Sequence, residues 1–223
     1  MRRSLAEDIS SEEPRGGTDA KIVIVKRALA LAVAVVIAGG CNPKPPDPED
    51  YVARMTQGRQ QRDIQLQQEA EPVPANLKST LLPLVYFAID ESYSVPAALK
   101  TLEKFEPVDL VTSTGSVDKY ERVGHLEFTL KGQPLRLTAY VPAGQPVTRL
   151  FVPFSDATSG EETYTTGRYL DLDRTGSGIY QIDFNLSYNP YCYFSTKYIC
   201  PLPTNENRLP IRIEAGERVK VKS

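Results

Sequence analysis

The sequence predicts a mainly β protein: a single β-sandwich or β-barrel-like domain with one N-terminal helix, preceded by a cleaved signal and a proline-rich tether. Three observations carry this reading. From Leu81 onward apolar residues recur with a period of two between turn signals. Before that lies one polar segment of helical character, residues 50–70, with a thin apolar stripe. Ahead of both, VKRALALAVAVVIAGGC (Val25 to Cys41) joins two basic residues to a short apolar run, small residues and a cysteine.

The apolar run from Ala28 to Ile37 is about half the roughly 20 residues that a membrane-spanning helix needs. It is expected to act as a signal of the bacterial lipoprotein type. Ala38, Gly39 and Gly40 are small enough for a peptidase cleft, and Cys41 offers the thiol for lipidation. Ala38 stands where such signals usually carry leucine. The stretch from Met1 to Ile24 is mixed in charge, which is unusual for a signal, and points to a start at Val23 or Val25. Residues 1–40 are thus expected to be removed, leaving Cys41 as a lipidated N-terminus held by several acyl chains, because one chain alone binds marginally. Residues 41–49 carry Pro43, Pro45, Pro46 and Pro48, giving a stiff extended tether. With Asn42 after the cysteine, the expected location is the cell envelope, at the outer membrane or cell surface.

Residues 50–223 suffice for one core and not for two. The helix is expected to start at Asp50, to end before Pro72, and to lie across the domain. Strands are expected at 84–88, 94–99, 108–112, 120–130, 135–140, 149–153, 167–172, 179–184 and 209–213. Lys131, Gly132 and Gln133 mark a hairpin turn. Within it Leu126, Phe128 and Leu130 alternate with His125, Glu127 and Thr129, so one face is core and the other wet.

A formal net charge of −2, with both signs dispersed, leaves no basic face for nucleic acid. No cofactor signature is present, and the single histidine, His125, lacks a nucleophile elbow nearby. Cys192 and Cys200 form an even pair once Cys41 is set aside. In an exported protein they read as a disulfide; a metal site is the competing reading, but it lacks close ligand spacing and further ligands.

Polar residues cluster in PFSDATSGEETYTTGRYLDL, DFNLSYNPYCYFS and CPLPTNENRLPIRIEAGE. These runs, with PLVYFAIDESYSVPA and GHLEFTLKG before them, resemble the family known as domain of unknown function 1684 over most of the mature domain. The chain departs from that family's pattern at Tyr191 and Thr204, where proline is usual. The resemblance implies fold and boundaries and no mechanism.

Asp156, Glu162, Tyr164, Arg168, Asp183, Asn185, Asn189, Asn207 and Arg208 are the candidate ligand-binding residues. Two readings stand side by side. Such groups tie loops together through side-chain-to-backbone bonds and buried ion pairs. Alternatively they form a site, in which Tyr164, Tyr188, Tyr191 and Tyr193 offer flat faces and Arg168 and Arg208 orient an anion, suiting a small polar or sugar-like ligand at one end of a barrel. The function read from this is a lipid-anchored envelope protein that binds a small ligand, an envelope component or a partner protein. An envelope hydrolase with paired carboxylates, Asp156 with Glu162 or Asp183 with Glu206, and Arg168 or Arg208 as an anion clamp, is the alternative.

Overall fold

A computed structural model describes residues 48–220; the signal, Cys41 and the tether up to residue 47 lie outside the described residues. Helix α1 spans Pro48–Gln68. Six strands follow: β1 Ser94–Val111, β2 Val117–Leu130, β3 Gln133–Pro142, β4 Arg149–Phe154, β5 Arg168–Asp173 and β6 Ile179–Asp183. They form one sheet in the order β5-β4-β3-β2-β1-β6, in which every pairing is antiparallel. The sheet curls until its end strands approach, giving a nearly closed barrel. Among the described residues no helix is long and apolar enough to cross a membrane.

Alternation along the strands fills the barrel. Leu126, Leu130, Leu137, Leu150, Val152 and Ile182 are fully buried in one cluster, joined by Phe154 and Phe184, whose rings meet edge to face 5.3 Å apart. The hairpin between β2 and β3 turns on Lys131 (φ 50°) and Gly132 (φ 79°), the paired left-handed residues of a tight two-residue turn. His125, on the outer face, bonds Thr138 Oγ1 across the hairpin at 3.2 Å.

Curvature has a local cause at Gly124. Register shifts occur between Thr101 and Glu106 of β1 and between Arg122 and Gly124 of β2. There the Lys100 carbonyl approaches the Gly124 α-carbon so closely that a β-carbon has no room.

Four expected elements take another form. The strands expected at 94–99 and 108–112 are one long strand, β1, continued through the irregular pairing around residues 102–105. Residues 84–88 make a single bridge, Tyr86 to Glu217. Residues 209–213 are not a strand. Leu209, Ile213 and Ala215 are buried in the barrel core, while the backbone around them bonds side chains and loops.

Helix α1 lies across the barrel. Tyr51 and Leu66 are its buried residues, and Leu66 joins Val73, Leu82, Leu84 and Phe194 in a second, smaller core. Tyr51 donates its hydroxyl to Asp183 at 2.8 Å, which fixes the start of the helix to the end of β6.

Candidate functional site

Most of the nine polar residues singled out in the sequence act as ties. Arg168, wholly buried at the start of β5, donates from Nη2 to Asp156 Oδ2 and to the Ile213 carbonyl, both at 2.9 Å. Its Nη1 serves the carbonyls of Ala215 and Glu217. Asp156 Oδ1 accepts from the amides of Thr158 at 2.8 Å and Ile213 at 3.1 Å. One ion pair thus holds the C-terminal segment in the barrel, and burial pulls the guanidinium below its ordinary pKa against the attraction of Asp156.

Asn207 replaces missing strand pairing. Strands β3 and β4 pair only at Tyr140 and Phe151. The Asn207 amide bridges them, donating to the carbonyls of Thr138 at 2.9 Å and Pro153 at 2.7 Å and accepting from the Thr138 amide at 2.7 Å. Asn185 holds both backbone groups of Asp90 and, with Asp183, the Tyr51 hydroxyl. Asn189 donates its backbone amide to Glu217 Oε2 at 2.8 Å. Glu162 bonds Arg212 and Arg218 at the surface, and Arg208 is exposed with no ion pair among the described residues. Tyr164 packs edge to face on Tyr193 at 5.5 Å, and burial, together with Cys192, pushes its hydroxyl up to about 12.

The nine do not converge on one open pocket. Only Asn185 lines any of the concavities described below.

Cys192 and Cys200, expected as a disulfide, stand here as two adjacent thiols. Cys200 Sγ accepts the Cys192 amide at 3.1 Å. The Cys200 thiol and the Tyr164 hydroxyl both favour the thiolate of Cys192, lowering its pKa to about 7 against burial, while the Cys200 thiol is pushed up. Among the described residues no group of three metal-binding side chains forms.

A cavity lined by aromatic side chains lies on the outer wall of the barrel. It has a volume of about 450 Å³, within the range of small-ligand sites. Strands β4 and β5 send Leu150, Val152, Leu170 and Leu172 inward, so alternation turns Phe151, Tyr169 and Asp171 outward into it. Tyr120 of β2 extends this wall, its ring stacked on Phe151 at 5.5 Å. Phe151 meets Tyr169 edge to face at 4.8 Å, and Tyr169 meets Tyr188 at 5.8 Å.

The segment from Tyr188 to Pro201 roofs the cavity. Its first residue exchanges both backbone bonds with Tyr169 at 2.9 and 3.1 Å, and the Tyr169 hydroxyl holds the Pro201 carbonyl at the far end. Tyr191 and Tyr198, edge to face at 5.3 Å, form the lip with Ile199. Polar groups are few and placed. The Tyr188 hydroxyl donates to Asp171 Oδ2 at 2.7 Å, and Arg62 of α1 lies over the Tyr188 ring at 5.4 Å. The hydroxyls of Tyr120 and Tyr191 make no hydrogen bond among the described residues and remain free for a guest.

Of this pocket, sequence reading found Tyr188 and Tyr191 and missed Tyr120, Tyr169, Tyr198, Asp171 and Arg62. A usable signal existed for Tyr169 and Asp171: they alternate with the core residues Leu170 and Leu172.

A smaller concavity of about 170 Å³ adjoins it between α1 and the turn at 185–188. Arg62 and Tyr188 line both. Arg54, Arg59, Tyr86, Asn185, Ser187 and Glu217 complete its charged and polar lining.

Residues 81–218 match the family described as "Protein of unknown function (DUF1684)". Among solved structures, the solution NMR structure of an uncharacterized protein from Haloarcula marismortui is similar, with a TM-score of 0.63 and 34% sequence identity. The alignment covers 78% of this chain and 97% of the archaeal one. No curated protein matches the chain.

Proposed function

Because the chain belongs to the DUF1684 family, whose function is unknown, its role must come from its own residues, and we propose that it binds a small polar ligand with a flat face, such as a sugar-like ring. The tyrosine pocket on the outer barrel wall is the observation that carries this reading. Five tyrosines and Phe151 give it large, rigid amphipathic faces, and Asp171, Arg62 and free phenol hydroxyls supply directed polar contacts. Such a surface suits a ring that is apolar on its faces and hydroxylated on its edge.

We place this binding activity in the cell envelope, at the outer membrane or cell surface, with Cys41 lipidated and residues 41–49 as the tether. The support is the Val25–Cys41 pattern and the prolines after it. In that oxidising setting the neighbouring thiols of Cys192 and Cys200 close to a disulfide. The other partners this reading admits are an envelope component or a second envelope protein at the exposed lip formed by Tyr191 and Ile199.

The chain has 12 tyrosines and no tryptophan, so its near-ultraviolet emission reports on tyrosine. Titration with a panel of monosaccharides and methyl glycosides is expected to quench that emission saturably for at least one member. Asp171→Asn is expected to weaken this binding by about tenfold, as loss of a charge-assisted hydrogen bond would. A panel without a single saturable response, or binding indifferent to both Asp171→Asn and Tyr188→Ala, would refute the proposal.

A further inference from the structure

The smaller concavity gathers several buried donors that lack partners. Arg59 donates from Nη1 to the Phe87 carbonyl at 2.8 Å and lies over the Tyr86 ring at 4.5 Å. Its Nε and Nη2 are buried without a partner, and it makes no ion pair among the described residues, although Asp183 and Glu217 lie near enough to favour its charge. Arg62 Nη2 and the Tyr86 hydroxyl are likewise buried and unpaired. The one acid in its lining is engaged: Glu217 accepts from Arg62 Nε at Oε1 and from the Asn189 amide at Oε2.

Four donor atoms are therefore gathered around one small space, with three arginines against one carboxylate. Each unsatisfied buried donor is destabilising, more so when charged. A native structure carries such a deficit where something meets it. Water, at about 30 Å³ per molecule, can enter and accept hydrogen bonds, but it brings no charge. An oxyanion supplies acceptors and charge together, and a planar guanidinium presents paired donors to it.

We propose that the concavity between α1 and the 185–188 turn is an oxyanion subsite, in which Arg59 and Arg62 receive the carboxylate or phosphate of the ligand whose ring lies in the tyrosine pocket. The connection between ring and acid is Arg62 and Tyr188, which belong to both spaces. The ligand is then an acidic sugar-like molecule, a uronate or a sugar phosphate. This last step rests on the reading of the tyrosine pocket; the oxyanion subsite itself does not.

The test uses the full chain and two probes. Inorganic phosphate is titrated first, reading the arginine Nε–H signals by NMR. The Nε–H signal of Arg59 is expected to shift saturably, to lose this response by about tenfold in affinity in Tyr86→Phe, and to keep it in Arg212→Gln, a surface arginine held by Glu161, Glu162 and Glu214. Glucose, glucuronate and glucose 6-phosphate are then compared through tyrosine emission. Tighter binding of the two acids than of glucose, abolished by Arg59→Gln, is the expected result. Phosphate that leaves the Arg59 signal unmoved overturns the subsite, even if neutral sugars bind. Phosphate that binds at Arg59 while no sugar binds leaves the subsite standing and removes the tyrosine-pocket reading. Tyr86→Phe, which deletes one hydroxyl and keeps the arginine packing, covers the case in which Arg59→Gln does not fold.

Discussion

Replacing Arg168 by methionine should unfasten the C-terminal segment, and the structure gives the size of the effect. The side chain is fully buried and joins Asp156 to the carbonyls of Ile213, Ala215 and Glu217. Methionine fills much of the volume but offers no donor. Asp156 keeps its bonds from Thr158 and Ile213, yet its charge is left buried without a counter-charge. Breaking a buried pair on one side costs about 3–5 kcal/mol, out of a total stability of about 5–15 kcal/mol. For a domain of this size about 4 kcal/mol lowers Tm by about 8–16 °C. The assay is urea unfolding followed by tyrosine emission and far-ultraviolet circular dichroism. The double variant Arg168→Met with Asp156→Leu removes both charges and should recover a large part of the loss. A single variant that loses less than about 1 kcal/mol, or a double variant no better than the sum of its parts, would refute the assignment of this pair as the tie.

Four further outcomes are expected. In the reduced protein, alkylation of Cys192 by iodoacetamide should rise with pH through about 7, because deprotonation begins well below the ordinary thiol range, whereas buried Cys200 should stay unreactive; a midpoint near 9, or equal labelling of both, would count against the thiol pairing. Protein recovered from the envelope without reductant should be lighter by two hydrogens than the reduced form, with the missing pair mapped to Cys192 and Cys200. Gly124→Ala should cost more than about 2 kcal/mol, since its new methyl meets the Lys100 carbonyl in a fixed backbone rather than a movable side chain; Cys41→Ala should move the protein from the membrane fraction to the soluble one without changing ligand binding.

What could be read from residue order depended on the range of the interaction. The β2–β3 hairpin was legible because alternation and the Lys131-Gly132 turn are local, and so was α1, an uninterrupted polar helix ended before Pro72. The unity of β1 was not, because Pro96, Pro107 and the charged run from Lys100 to Glu106 look like breaks, whereas pairing to β2 on both sides of the irregularity carries the strand through. Leu209 to Ile213 has strand composition, but its backbone partners are Arg168, Asp156 and Ser155, distant residues that no local pattern reveals.

The same contrast governs the sites. Arg59 and Arg62 look like solvated helix residues, yet Tyr51, Met55, Arg59, Arg62 and Leu66 recur at helical spacing, and Tyr51 and Leu66 are the buried ends of that face. Their shared face was the available signal. The tyrosine pocket draws on β2, β4, β5, α1 and a later loop, so its assembly follows from topology rather than from any one motif.

The short end strands have a consequence for how this domain meets its neighbours. β5 and β6 are six and five residues long and curl toward each other, and Tyr188 occupies backbone positions of β5 at Tyr169. A sheet closed in this way presents little unpaired backbone for another chain to copy. Crowded together, such domains can stand shoulder to shoulder without templating one another into fibres, and whatever associates with them must do so through side chains.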